Sequence, residues 1–174
     1  MIKIVNSLEQ VKFSELMCVY SEAIRENGET FYPKFSVSEQ IYEAEQDFYR
    51  YLKSGFFCQK DSVYCIWEDD NGYCSALRLE PYKDGILLCG LETMPEKRRK
   101  GYAEKLVRGV QQYLCNRGSG ILYAHVSKKN HASVMLHQKC GFQKVLDFAV
   151  YSDGSVMNNA YTFSHKYRKS EDSV

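Results

Sequence analysis

Two kinds of chemistry are suggested by the middle of this chain. The first belongs to KRRKGYA, Lys97 to Ala103, where four basic residues run into a glycine and an apolar helical period begins directly after it. The start of a helix leaves its first N–H groups unpaired, and the helix dipole adds positive potential at the same place. Such a terminus is a ready anion site. Gly101 removes the side chain that would hold a bulky phosphate off the backbone, and Ala103 keeps the approach low. Arg98, Arg99 and Lys100 supply charge at the rim. The second kind is proton transfer. Glu92 sits in the apolar run ILLCGLETM, where a carboxylate needs a partner or a task. The chain also holds four histidines; a free imidazole titrates near pH 6.5, about where both protonation states are populated.

A basic run before a glycine is by itself more often a solvated turn. It is not a nucleoside-triphosphate loop, since neither G-x-x-x-x-G-K-[ST] nor G-x-G-x-x-G occurs in the chain. What decides between the readings is the set of elements around it.

Those elements follow from period and punctuation. Met1 to Val5 reads as a strand. Ser7 is placed to cap a helix carrying Leu8, Val11, Phe13, Leu16, Val19, Tyr20 and Ala23, stopped at Asn27-Gly28. Ser38 opens a second helix with Ile41, Ala44, Phe48 and Leu52, closed by Gly55. Val63 to Trp67 and Cys74 to Leu79 flank Asp69-Asp70-Asn71-Gly72, a hairpin signal. Ile86 to Thr93 is a third strand of this meander. The helix after Gly101 buries Ala103, Leu106, Val107, Val110 and Leu114 and ends at Gly118 and Gly120. A strand, Ile121 to Val126, and a helix, Asn130 to Lys139, come next. Gln143 to Tyr151 and Val156 to His165 read as one long closing hairpin about Asp153-Gly154. The expectation is a single α/β domain over residues 1–168, a mixed sheet flanked by helices, with parallel neighbours around Gly101. The tail KYRKSEDSV is expected to fray, residues 169–174 above all.

Composition narrows the function. At 174 residues one core suffices, and the net charge of +1 argues against a nucleic-acid-coating surface, so the basic run is local. Seven scattered cysteines without a C-x-x-C pair favour neither a disulfide framework nor a zinc site, and no metal is expected. No signal-peptide pattern or membrane-length apolar stretch is legible; a cytoplasmic protein with no membrane and no nucleic-acid partner is expected.

A second segment, HVSKKNHASVMLHQKCGF, changes the weight of the first. Arg98-Arg99-Lys100-Gly101-Tyr102-Ala103 resembles the R/Q-x-x-G-x-G/A signature of the Gcn5-related N-acetyltransferases. Asn130, Ser133, Leu136, His137, Lys139, Gly141 and Phe142 resemble that family's downstream motif. The resemblance implies the acyl-CoA N-acyltransferase fold, with a mostly antiparallel sheet. It also implies acetyl-CoA as donor and a small-molecule or peptide amine as acceptor. The pyrophosphate would lie on the amides of Arg99, Lys100, Gly101 and Ala103, near Arg98 and Tyr102. The pantetheine arm would pair with Thr93 and Met94, and Asn130, with Ser133 beside it, would brace the cofactor or cap the helix behind it.

Direct transfer needs a base for the amine, a donor for the oxyanion and an acid for the leaving thiolate. Glu92 and His125 are the candidate bases. His137 stands where the family often places an acidic tyrosine, so it is either that acid or a packing group. The resemblance places the acceptor wall by the first two helices, their link and the closing hairpin, where Phe31, Tyr32, Phe35, Tyr49, Tyr151 and Tyr161 either line it or belong to the core. A homodimer is left open, as is a non-catalytic module of the same fold that only holds the acyl-CoA.

Overall fold

The computed structural model describes residues 1–169. Its frame is one seven-stranded sheet, with strands in the order β1-β2-β3-β4-β5-β9-β6. The strands are β1 (Ile2–Val5), β2 (Val63–Asp69), β3 (Gly72–Tyr82), β4 (Gly85–Thr93), β5 (Gly120–Ser127), β6 (Gln143–Leu146) and β9 (Ala160–Tyr167). β7 (Ala149–Val150) and β8 (Val156–Met157) form a separate two-stranded ribbon. Every pairing in the large sheet is antiparallel except β4 with β5. The exception follows from the helix α4 (Tyr102–Arg117), which carries the chain back over the sheet between those strands.

Helices cover both faces. On one side α1 (Phe13–Val19), α2 (Ser21–Phe31) and α3 (Val37–Ser54) bury Leu16, Ile24, Ala44 and Leu52 against Tyr64, Ile66 and Ala76. On the other, α4 packs Leu106, Val107, Val110 and Leu114 on Leu77, Leu79, Leu88 and Leu122. The short helix α5 (His131–Lys139) adds Val134 and Leu136 to the same side.

Several boundaries depart from the sequence reading. Ser7 caps no long helix: Leu8–Gln10 is a single 3-10 turn, Val11 is extended, and the helical stretch begins again at Phe13 and breaks at Tyr20. The Lys12 N–H is drawn off to the Tyr73 hydroxyl at 3.1 Å, which ties the interruption before Phe13 to β3. Asn27-Gly28 does not end α2, which runs on to Phe31. Gly28 is there because α3 passes so close: a Cβ on it would lie 2.7 Å from the Gln40 carbonyl oxygen. The start of α3 is Ser36 rather than Ser38, with a full capping box to Glu39.

The closing hairpin is not continuous either. β6 and β9 pair with a register shift between Lys144 and Leu146, and the chain then peels off into the β7–β8 ribbon. The Thr162 hydroxyl donates to the Phe148 carbonyl and the Tyr82 hydroxyl to that of Val150, tying the ribbon down over β9 and β3. In the expected tail, Lys166 and Tyr167 belong to β9, and the Lys169 N–H reaches the Ser119 hydroxyl at 2.9 Å. The rest of the tail lies outside the described residues.

Candidate active site

The site is built where β4 and β5 part. Their parallel pairing covers only Ile86 with Leu122, Leu87 with Tyr123 and Leu88 with Ala124. Beyond it Cys89 to Thr93 and His125 to Ser127 have no partner across the gap, while each strand stays paired on its far side, to β3 and β9. β4 thus presents an unpaired edge inside the sheet.

At the open end of this V stands the start of α4. Its first internal hydrogen bond runs from the Lys105 N–H to the Gly101 carbonyl, so the N–H groups of Tyr102, Ala103 and Glu104 have no helical partner. No side chain caps them. Gly101 is left-handed, with φ of +79°, and nothing lies within 4 Å of where its Cβ would be. Arg99 is left-handed too, with φ of +64°, a conformation that strains a residue with a side chain. A cluster of free helix amides that follows an unobstructed glycine is chemically suited to an anion such as a pyrophosphate.

The four basic side chains divide. Lys97 is paired with Asp69 at 2.8 Å and lies 3.3 Å from the Cys74 sulfur. Arg98 turns inward: one Nη lies 2.7 Å from Glu22 and 3.8 Å from Glu92, and its Nε donates to the Thr93 carbonyl. Lys100 donates to the Glu96 carbonyl. Only Arg99, among the described residues, has no such engagement. Tyr102 donates from its hydroxyl to the other Asp69 oxygen at 2.9 Å. Asp69, at the tip of the β2–β3 hairpin, therefore grips the loop at both ends, and the Lys97 ammonium with the Asn71 N–H holds its carboxyl well below the usual carboxylate range. That clamp was missed in the sequence, where Asp69 read only as a turn residue.

Thr93 donates to the Ser75 hydroxyl, and the Met94 N–H is spent on the Cys74 carbonyl of β3, so both face away from the open edge in these bonds. Asn130 caps α5, accepting from the Ser133 N–H at 3.0 Å. The Ser133 hydroxyl lies 3.3 Å from Nδ1 of His137.

The titratable candidates differ in environment. Between Cys89 and Glu92 the register slips, because Leu77 faces the two residues Gly90 and Leu91. This bulge keeps Glu92 on the same face of the sheet as Cys89; in a regular strand, residues three apart point to opposite faces. Partial burial raises the Glu92 pKa, Arg98 opposes the shift, and the Glu22 and Glu26 carboxylates add to it. His125 shares that face across the opening, its ring edge-on to Tyr82 and Tyr151 at 5.4 and 5.3 Å. Among the described residues neither of its nitrogens has a hydrogen-bond partner, and burial followed by the nearby Lys83 ammonium lowers its pKa.

His137 is on the α4 and α5 side and is only 2% exposed, packed on Phe142 and Phe163. Its Nδ1 lies 2.8 Å from the Ser133 carbonyl, which can only accept, so Nδ1 carries the proton and Nε2 is a bare, buried acceptor. Burial lowers its pKa, against that hydrogen bond.

Of the expected acceptor wall, Phe31 and Tyr32 border a cavity of about 210 Å³ between α2 and α3, with Asn27, Asp47, Phe48 and Tyr51. Phe35 stacks on Tyr32 and Tyr49 packs on Phe13. Tyr151 reaches His125, whereas Tyr161 packs with the core cluster on the α4 side, away from this face.

The acetyltransferase (GNAT) family model matches residues 22–142, well over half of the chain. The chain belongs to this family. Its members use acetyl-CoA, so acetyl transfer is the activity class of this GNAT chain. A comparison with curated proteins finds no match. Among solved structures it is similar to the ribosomal-protein-S18-alanine N-acetyltransferase of Escherichia coli, at 16% identity and a TM-score of 0.61 over 100% of this chain and 99% of that one. It is similar also to the PaiA N-acetyltransferase of Thermoplasma acidophilum in complex with coenzyme A, at 17% identity and a TM-score of 0.63 over 96% and 99%. A third is the IAA acetyltransferase of Bacillus cereus, at 14% identity and a TM-score of 0.59 over 95% and 98%. At these identities the likeness is one of fold, and it confirms the mixed, mostly antiparallel sheet with flanking helices. No helix among the described residues is long and apolar enough to cross a membrane.

Proposed function

We propose that this protein is an N-acetyltransferase that moves the acetyl group of acetyl-CoA directly to an amine in the opening between β4 and β5. The observation that carries the reading is the unpaired edge of β4 from Cys89 onward, leading to the uncapped start of α4 at Gly101. An extended thioester arm pairs with such an edge, and a pyrophosphate sits on such a terminus.

His125 and Glu92 share the acceptor work. An amine attacks only when neutral, and a depressed imidazole is already unprotonated at neutral pH. His125 takes the proton, directly or through one water. Glu92, at the mouth beside Glu22 and Glu26, draws the ammonium form in and passes its proton outward. His137 keeps its proton on Nδ1, so its role is to pack beside the arm, and the leaving thiolate takes its proton from solvent.

Thiol release from acetyl-CoA, measured over a panel of amines, tests this. Glu92→Gln and His125→Ala should each lower turnover at least tenfold while leaving acetyl-CoA affinity near its starting value. Undiminished turnover in both would remove these roles. Tight acetyl-CoA binding without thiol release for any amine would mark the protein as a non-catalytic acyl-CoA binder.

A further inference from the structure

One partly buried cation on the face shared by Glu92 and His125 takes no part in the proposed chemistry. Arg78 is on β3, opposite Cys89 of β4, and its side chain is 20% exposed. A guanidinium has five N–H donors in a planar fork, and burying one normally requires that they be satisfied. Among the described residues, no group takes a hydrogen bond from any of the five. The nearest carboxylate, Glu80, is 3.7 Å from Nε, too long for one, and Nε itself is buried without a partner. Glu80 is moreover shared, since it accepts from the Tyr51 hydroxyl at 3.3 Å. The guanidinium carbon lies 5.1 Å from the centre of the Tyr51 ring and 5.9 Å from that of Phe56, so the group is held against two aromatic rings. The fork is fixed in place, then, and its edge is left over.

Where that edge lies is the second observation. The register places Arg78 beside Cys89, and Cys89 follows Leu88 as His125 follows Ala124, its partner on β5. Arg78, Cys89 and His125 therefore form one row across three strands on one face, at the level where β4 and β5 separate. Neighbouring strands are about 4.8 Å apart, so the two ends of the row stand about 10 Å from each other at the backbone. Gly90, exposed and left-handed at φ of +57°, borders the same spot: a Cβ there would come 3.2 Å from Nη2 of Arg78. The two side chains of this row with unpartnered buried nitrogens, Arg78 and His125, thus stand at its two ends, on either side of the opening between β4 and β5.

Resting on the N-acetyltransferase reading, we propose that Arg78 binds a carboxylate of the acceptor, so that the amine acetylated here belongs to an amino acid or another amino-carboxylate. A carboxylate matches the planar fork in two parallel hydrogen bonds. It is favoured over a phosphate because Glu80 beside the fork would repel a second negative charge. The carboxylate is held at the β3 end of the row and the amine is turned toward His125 at the other.

The test compares free α- and ω-amino acids, each beside its own carboxamide, as acceptors in thiol release with the intact protein. For an accepted pair the acid should exceed the amide by roughly 10- to 100-fold in kcat/KM, the worth of a charged, fork-matched contact. Arg78→Gln should bring that ratio to about one, and Arg78→Lys should restore part of it. Acetyl-CoA affinity, measured on the same samples, should stay as in the wild type, while Arg78→Gln should melt a few degrees lower through its lost contacts with Tyr51 and Phe56. Equal use of acid and amide, a preference for the amide, or an Arg78→Gln loss shared equally by both would overturn the proposal. So would failure of every amino-carboxylate both to react and to bind in the presence of coenzyme A. In each of these cases acetyl-CoA still binds; if it does not, the N-acetyltransferase reading itself has failed and the carboxylate anchor with it.

Discussion

Gly101 lets backbone strain and cofactor affinity be separated in one pair of variants. Its φ of +79° puts it in the left-handed region, and no atom lies within 4 Å of the missing Cβ. Gly101→Ala therefore meets no clash and carries only the conformational cost, roughly 1–2 kcal/mol. For a chain of this size each kcal/mol moves the melting temperature by about 2–4 °C. Gly101→Glu carries the same strain, but its carboxylate stands at the α4 N-terminus, where an anion regains about 0.3–1 kcal/mol. The unliganded Glu variant should therefore melt at or slightly above the Ala variant, both a few degrees below wild type. Acetyl-CoA at a hundred times its dissociation constant adds about 2.7 kcal/mol to the wild type, a rise of about 5–11 °C. That rise should shrink in Gly101→Ala and vanish in Gly101→Glu, whose charge occupies the pyrophosphate position. Thermal unfolding of the three proteins with and without acetyl-CoA gives all six numbers. An undiminished rise in the Glu variant would show that the cofactor does not use this terminus.

Other outcomes follow from the same geometry. Asp69→Asn should loosen both ends of the cofactor loop by weakening its grip on Lys97 and Tyr102, and so raise KM for acetyl-CoA severalfold with little change in kcat or in acceptor KM. Steady-state kinetics with each substrate varied in turn checks it, and an effect on the acceptor side alone would contradict the clamp. Gly28→Ala should destabilise by about 1–3 kcal/mol in urea unfolding, although alanine is the better helix former by about 1 kcal/mol, because its Cβ would sit 2.7 Å from the Gln40 carbonyl. The His125 pKa is lowered in the fold, so its contribution to stability is complete above the unfolded value near 6.5 and is lost as pH falls from there toward the folded value. His125→Ala should flatten that part of the stability–pH curve and remove an acid limb of kcat/KM that starts below pH 6.5.

Local features were legible in the sequence and register was not. The hairpin at Asp69 to Gly72, the helix start after Gly101 and the stop at Gly118 each depend on a few consecutive residues, and each stands where the residues put it. Gly28 misled because a glycine required by a neighbouring helix looks like one that ends its own. Arg78 and His125 share a row only through the pairing of three strands, and Glu92 keeps their face only through the bulge at Gly90 and Leu91. No period within β4 reports that inserted residue. The clamp joins Asp69 to Lys97, 28 positions away, across two strands of the sheet, so it too was beyond reach of local reading.

The parting of β4 and β5 bears on how the protein behaves in solution. Edge strands template association between molecules, and most proteins confine them to the rim of a sheet or guard them with charge. Here two edges lie in the middle, Cys89 to Thr93 and His125 to Ser127, and the first carries Cys89, Leu91 and little charge. Among the described residues no strand fills this gap; in the function proposed here the pantetheine arm of the substrate would take that place. Coenzyme A bound in that way would cover the β4 edge, and light scattering during storage should then show the loaded protein as the slower to aggregate.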